Sequence, residues 1–354
     1  MVQENTVNDF SKGSVVKNIL TLALPMTLAQ LINILYNIVD RMYIGRIPDH
    51  ATLSLTGLGL SMPIISAVIA FANLFGVGGA PLCSIARGKG DIKGAEKVVG
   101  NAFTMLLCTG VLLTVTGLLF KKPLLYAFGA SDATFPFADS YLSIYLLGCT
   151  FVTVSLGMNS YINAQGFARM GMVTTLIGAV LNIILDPLFI FTMGMGIRGA
   201  AIATVISQLA SAIWTVHFLT SPKAILRIRV SCMRPCLKTI RDIAALGLSN
   251  FMMSITNSIV QVVCNSTLSL YGGDLYVGVM TVINSVREIV SMPVSGITNG
   301  SQPVISFNYG AEKYDRIKTA IRFMAVSCIA YTTAIWGILH LFPVFFIHIF
   351  NTQA

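Results

Sequence analysis

The amino-acid sequence predicts an all-α polytopic membrane protein: a six-helix N-lobe followed by three helices of an incomplete, duplicated C-lobe. Three observations carry this prediction. Hydrophobic residues make up 55% of the chain and charged residues only 10%, with a mean hydropathy of +0.78, whereas a soluble domain carries roughly 25% charged residues. Nine runs are long enough to cross a hydrocarbon core, which takes about 20 mostly apolar residues. The sequence also repeats itself at a fixed offset of 222 residues, pairing Ala23 with Ala245, Leu53 with Leu275, Pro81 with Pro303, Gly88 with Gly310 and Phe128 with Phe350. A duplication of this length points to two related bundles that move against each other, as in secondary transporters.

The spans fall near 15–40, 53–80, 95–119, 135–157, 164–191, 197–219, 239–270, 276–303 and 316–342. Their continuous apolar character argues against the ten-residue alternation of a β-barrel. Lys12 and Lys17 flank the start of the first span. Arg87, Lys89, Lys93 and Lys97 join the second to the third, and Arg169 lies between the fourth and fifth. Six basic residues from Lys223 to Arg241 join the sixth to the seventh, and Lys313, Arg316, Lys318 and Arg322 join the eighth to the ninth. The alternate loops carry only Arg41, Arg46, Lys121, Lys122 and Arg198. This asymmetry accounts for the net charge of +9 without nucleic acid and predicts a cytoplasmic N-terminus in the cytoplasmic membrane. An even number of spans per copy gives both copies one orientation, related by an axis along the membrane normal. The register divides the chain into a lobe at 1–220, a basic cytoplasmic linker at 221–237 and an incomplete lobe at 238–354. The last residue, Ala354, corresponds to Asp132, so the second copy is expected to lack its last three helices. The first apolar run is full-length with no small-residue cleavage site, so it is expected to be retained.

Three acids sit well inside the spans: Asp40, Asp186 and Glu288. A charge in hydrocarbon is expensive and is kept where it has a partner or a task. Asp40 ends a stripe of Gln30, Asn33 and Asn37 whose steps of three and four residues hold one helix face, with Tyr36 beside it. Such a face must look into water, ligand or another helix. Asn182 and Asp186 share a face of the fifth span, and Pro187 frees a backbone carbonyl one turn back. These oxygens suit Na⁺ or a proton; the structural alternatives are pairing of Asp40 with Arg41 or Arg46, and capping of a broken helix by Asp186. The seventh span carries the neutral stripe Asn250, Ser254, Asn257 and Gln261. Adjacent Arg287 and Glu288 read as a structural interhelical ion pair.

The string ARGKGD has Gly90 where a phosphate-binding loop needs Ser or Thr, so ATP hydrolysis is unsupported. The four histidines show no metal spacing. Cys232 and Cys236, in a basic loop expected to face a reducing compartment, read as free thiols.

The run NAQGFARMGMVTTLIGAVLNIILDPLFIFTMGMGIRGAAIATVISQ, from Asn163 to Gln208, resembles the helix 5 and 6 signature of the multidrug and toxic compound extrusion (MATE) family. LALPMTLAQLINILYNIVDRMYIGR resembles that family's helix 1, and NGSQPVISFNYGAEKYDRIKTAIRF its helix 8 to 9 loop, as in the bacterial branch with a helix 1 Asp. The resemblance covers nearly the whole chain. It implies a twelve-helix, two-lobe antiporter that exports amphipathic, often cationic organic molecules in exchange for H⁺ or Na⁺. By position it implies a cation site on Asp40, Asn182, Asp186 and Thr204, and a polar cavity on Asn33, Tyr36 and Asn159. Gln30, Asn37, Asn257 and Gln261 extend that cavity by their stripes. Asn257 and Gln261 stand where some members carry a helix 7 acid. The expected partners are the bilayer and a small organic molecule, with no cofactor beyond the coupling ion and a monomeric state. A flippase for lipid-linked sugars and a non-transporting membrane protein are the alternatives.

Overall fold

A computed structural model describes residues 9–48 and 50–341, apart from the side chains at 258, 261, 262, 265, 266, 269, 270, 272–278, 281, 282, 285, 286, 289 and 339. The described residues are helical, with short connections: α1 (Val15–Ile44), α2 (Ala51–Gly88), α3 (Ile92–Ala127), α4 (Phe135–Leu147), α5 (Cys149–Ala164), α6 (Ala168–Pro187), α7 (Ile197–Thr220), α8 (Leu237–Gly310) and α9 (Tyr314–Leu341). A π-helical turn, Leu188–Thr192, extends α6 beyond Pro187.

Lipid offers helices no hydrophobic drive to associate, so close packing depends on small residues. A Cβ on Gly76 of α2 would run into the backbone of Gly157 of α5, and one on Gly79 into the Tyr161 hydroxyl. That hydroxyl donates to the Phe75 carbonyl at 2.7 Å, fixing the α2–α5 crossing within a core of Phe75, Cys83, Leu106, Met158 and Leu219. The fourth predicted span is longer than expected and bent by 57° between α4 and α5, at Gly148, where a Cβ would strike Val205 of α7.

The seventh and eighth predicted spans are the arms of one helical element rather than two separate helices. Gly247 near the start of α8 abuts Leu74 of α2, and Phe307 near its end abuts Gly88 of α2. A straight helix would part Gly247 from Phe307 by about 90 Å. The element therefore reverses direction between Gly247 and Gly296.

The connections that carry most of the basic residues gather at one end of the bundle. There Asn101 of α3 grips the segment before α8, its amide donating to the Cys232 carbonyl at 3.1 Å and its oxygen accepting the Cys236 N–H at 2.7 Å. Thr104 donates to the Met233 carbonyl at 2.8 Å, and Arg229 pairs with Glu96 at 2.8 Å. The sequence-predicted linker is thus docked on α3, with Ala224 and Leu226 buried. At the same end, Arg316 donates to the carbonyls of Phe10, Lys12 and Gly13 and to Asn308 Oδ1, so the segment before α1 is tied to α8 and α9.

Candidate functional site

A cavity of about 750 Å³ opens between α1, α2, α4 to α7 and the second arm of α8. The helical period of α1 brings Gln30, Asn33, Tyr36, Asn37 and Asp40 to its wall, as the stripe predicts. Across from them, α5 supplies Asn159 and Asn163, α6 supplies Asn182, and α7 supplies Thr204, Ser207, Gln208 and Ser211. Asn37 donates to the Asn33 carbonyl at 2.7 Å, and Asn159 to the Gly171 carbonyl at 3.3 Å. From α8 come Glu288, Asn299 and Gln302.

Asp40, Asn182, Asp186 and Thr204 converge at one corner. Asn182 Nδ2 donates to Asp186 Oδ1 at 3.2 Å and reaches Thr204 Oγ1 at 3.4 Å. The Asp40 and Asp186 carboxyl groups lie close enough to act on one another electrostatically. The corner is dry: Asp40 is 8% exposed, Asn182 2% and Asp186 0%. Asp40 Oδ1, Asn182 Oδ1 and Asp186 Oδ2 are buried without a hydrogen-bond donor. Buried acceptors normally have partners, and two adjacent carboxylates repel each other unless a proton or cation lies between them. Hard oxygens from carboxylate, amide and hydroxyl groups are the ligands that Na⁺ or a proton takes. Pro187 cannot donate to the carbonyl four residues back, and the π-helical turn that follows widens α6 beside Asp186.

The structural alternatives for these acids find no close contact to support them, although Arg41 lies near enough to act on Asp40 electrostatically. Neither Arg41 nor Arg46 forms an ion pair with Asp40 among the described residues, and Asp186 bonds to Asn182 rather than to a helix end. Among the described residues neither Arg287 nor Glu288 forms the expected interhelical ion pair. Glu288 instead faces the cavity, since adjacent helical positions diverge by about 100°. Asn257 is exposed on α8 and does not line the cavity; the Gln261 side chain lies outside the described residues. Tyr141 and Tyr145 of α4, and Ser207, Gln208 and Ser211 of α7, line the cavity without having been singled out from sequence. The i,i+4 spacings Tyr141/Tyr145 and Ser207/Ser211 are the signal that marks these faces.

Comparison with known proteins gives one consistent result. The multidrug export protein MepA of Staphylococcus aureus (strain NCTC 8325) is 25% identical over 334 residues, covering 94% of this chain and 73% of MepA. MepA of Staphylococcus haemolyticus is 27% identical over 320 residues, 90% of this chain and 70% of that one. A solved structure of a multidrug resistance MATE family transporter of the MOP superfamily, in its outward-facing conformation, superposes with a TM-score of 0.89 at 25% identity. It covers 97% of this chain and 76% of that one. A MATE structure in the bent conformation gives a TM-score of 0.90 at 26% identity, covering 96% and 76%. The MatE family model matches residues 25–188 and 250–354, and with that match, across a helical bundle and buried acidic corner of this form, the chain belongs to the MatE family of membrane transporters.

Proposed function

We propose that this protein exports amphipathic, often cationic organic compounds across the cytoplasmic membrane in exchange for H⁺ or Na⁺. In this reading Asp40, Asn182, Asp186 and Thr204 bind the coupling ion. Gln30, Asn33, Tyr36, Asn37 and Asn159 contact the substrate, with Asn257 and Gln261 on the opposing arm meeting it as the halves close. The chain is read as an N-lobe at 1–220, a linker at 221–237 and a C-lobe portion at 238–354, working as a monomer. The basic-loop end faces the cytoplasm, following the positive-inside rule.

The observation that carries the reading is the buried pair Asp40 and Asp186, with orphaned oxygens, Asp40 lining a cavity large enough for a drug-sized molecule and Asp186 buried beside it. Ion and substrate couple if each favours a different conformation, because a ligand shifts an equilibrium only by its differential affinity for the two states. Occupation of the acidic corner removes the repulsion within the pair and draws α1 towards α6. A cationic substrate gains from the same carboxylates when they are free. Packing between α8 and α1–α2 at the basic-loop end closes the cavity there, which supports an outward-facing state. A flippase for lipid diphosphates needs a cationic wall, and among the described residues this cavity sets Asp40 and Glu288 against Arg41.

The test is efflux of a fluorescent organic cation from proteoliposomes under an imposed proton gradient or an imposed sodium gradient. Gradient-driven efflux that collapses in both Asp40→Asn and Asp186→Asn is the expected result. Equal transport by the native protein and both variants would show that the corner is not the coupling site.

A further inference from the structure

We propose that the protein holds an anionic phospholipid of its own bilayer in a groove between the first turns of α1 and α6. The groove has a volume of about 410 Å³ and is separate from the central cavity; it is lined by Ser14, Lys17, Leu20, Leu24, Pro25 and Arg169, among others. Its two ends differ in chemistry. Lys17 and Arg169 are both exposed at the basic-loop end, while Leu20 is 40% and Leu24 62% exposed further along α1. From Lys17 to Leu24 the helix rises about 10 Å, the distance from headgroup level into the acyl region.

Charge complementarity selects the occupant. Neither Lys17 nor Arg169 forms an ion pair or a side-chain hydrogen bond among the described residues. At the same end Arg229 is held by Glu96 and Arg316 by backbone carbonyls, whereas Lys17 and Arg169 line the groove. The Ser14 hydroxyl accepts the Lys17 backbone N–H at 3.5 Å, and Thr21 Oγ1 donates to the Lys17 backbone carbonyl at 2.8 Å, so both hydroxyls are engaged by the α1 backbone and leave the ammonium group to the groove. The first turns of α1 and α6 contain no acidic residue, leaving the positive end of each helix uncompensated. Two free cations above a strip of exposed leucines match a phosphate diester carrying an acyl chain, and basic recesses between transmembrane helices bind such headgroups. A soluble anion would meet the cations but leave the leucine strip unused. α1 carries the Asp40 stripe, so the lipid would grip the helix that moves in the proposed ion cycle. The binding itself does not depend on that cycle.

The test uses the whole chain reconstituted in phosphatidylcholine vesicles containing either a photoactivatable phosphatidylglycerol or the matched phosphatidylcholine. Adducts are mapped by mass spectrometry. Phosphatidylglycerol adducts are expected to concentrate on α1 near Leu20 and Leu24 and on the first turn of α6. Labelling should fall about fivefold for each cation removed in Lys17→Gln and Arg169→Gln. The charge-conserving pair Lys17→Arg with Arg169→Lys is expected to keep it and to show that the fold is intact. Equal labelling by the two lipids, undiminished labelling in the double Gln variant, loss of labelling in the charge-conserving pair, or displacement by inorganic phosphate would each overturn the proposal.

Discussion

Gly88 and Gly310, at equivalent positions in the 222-residue repeat, are packed reciprocally against each other's helices. A Cβ on Gly88 would strike the Phe307 carbonyl, and one on Gly310 would strike the carbonyl of Ile85. Ile85 and Phe307 are themselves repeat equivalents. The same reciprocity recurs deeper in the bundle. Gly78 of α2 meets Ile243 and Gly247 of α8, while its equivalent Gly300 meets Ala23 of α1. These contacts set positions 222 residues apart against each other's helices. Because no Cβ stands between the backbones, α8 meets α1 and α2 closely at the basic-loop end.

Gly88→Ala and Gly310→Ala are therefore each expected to destabilise the purified protein by about 1–3 kcal/mol, the range for an overpacked contact. Gly59→Ala is the control, since a Cβ there meets nothing within 4 Å. Thermal unfolding in detergent gives the comparison. A melting temperature for Gly88→Ala equal to that of Gly59→Ala would mean that the seam yields without penalty.

Cys236 lies outside the spans, at the N-cap of α8. The Thr239 backbone N–H, the Thr239 hydroxyl and the Lys97 ammonium pull its thiol down to about 7 from the ordinary 9.0. A depressed value favours the thiolate in the folded protein. Its contribution to stability is fully present above about 9 and fades as the pH falls through about 7. Alkylation by iodoacetamide should accordingly show a midpoint near 7 at Cys236, and Lys97→Gln should move it upward. A midpoint near 9 in the native protein would contradict this environment.

Arg316 is the hub of the cross-tie between the two chain halves. Its guanidinium bonds to Asn308 Oδ1 at 3.1 Å and to the Phe10 carbonyl at 2.9 Å, and Asn308 donates to that same carbonyl at 3.0 Å. Hydrogen bonds to charged groups contribute about 1.5–3 kcal/mol each. Arg316→Ala should therefore raise amide exchange over residues 10–14 at least tenfold, with Arg316→Lys intermediate because a single ammonium cannot span all four acceptors. Exchange mass spectrometry distinguishes these outcomes, and unchanged protection in Arg316→Ala would show that the segment is held by Phe10 packing alone.

The acidic corner was legible in the sequence because a carboxylate in an apolar span is expensive and its neighbours at helical spacing share its face; Asp40, Asn182 and Asp186 needed no more than that. Thr204 was reached through family resemblance, since a lone threonine in an apolar helix has no local signal. Tyr141 and Tyr145 went unread because aromatic residues serve lipid contact, core and cavity alike, and only tertiary packing decides between them. The reversal within α8 and the bend at Gly148 depend on contacts with α2 and α7, which no local pattern encodes. Glu288 was read from sequence as structural, and its place on the cavity wall depends on how the second arm of α8 packs, which no local pattern encodes.

The identity of the coupling ion can be read from the uncharged members of the corner. A proton needs only a carboxylate oxygen, whereas Na⁺ needs several oxygen ligands at once. Asn182 contributes an unpartnered Oδ1, and Thr204 Oγ1 lies 3.4 Å from its amide nitrogen. Thr204→Val removes one oxygen while keeping shape and leaves the Asp40–Asp186 pair in place. Asn182→Leu also removes the donor that orients Asp186. If protons drive transport, Thr204→Val should retain most proton-driven efflux, and Asp40→Asn and Asp186→Asn should lose it. If sodium drives transport, Thr204→Val should cut sodium-driven efflux about tenfold or more, the loss expected when a buried ligand is removed. Glu288→Gln should leave the ion dependence unaltered, because Glu288 lines the cavity from α8 and, among the described residues, forms no hydrogen bond with Asp40, Asn182, Asp186 or Thr204. Efflux from the same proteoliposomes under each gradient separates the cases, and full activity of both Asp variants under both gradients would place the coupling ion elsewhere in the molecule.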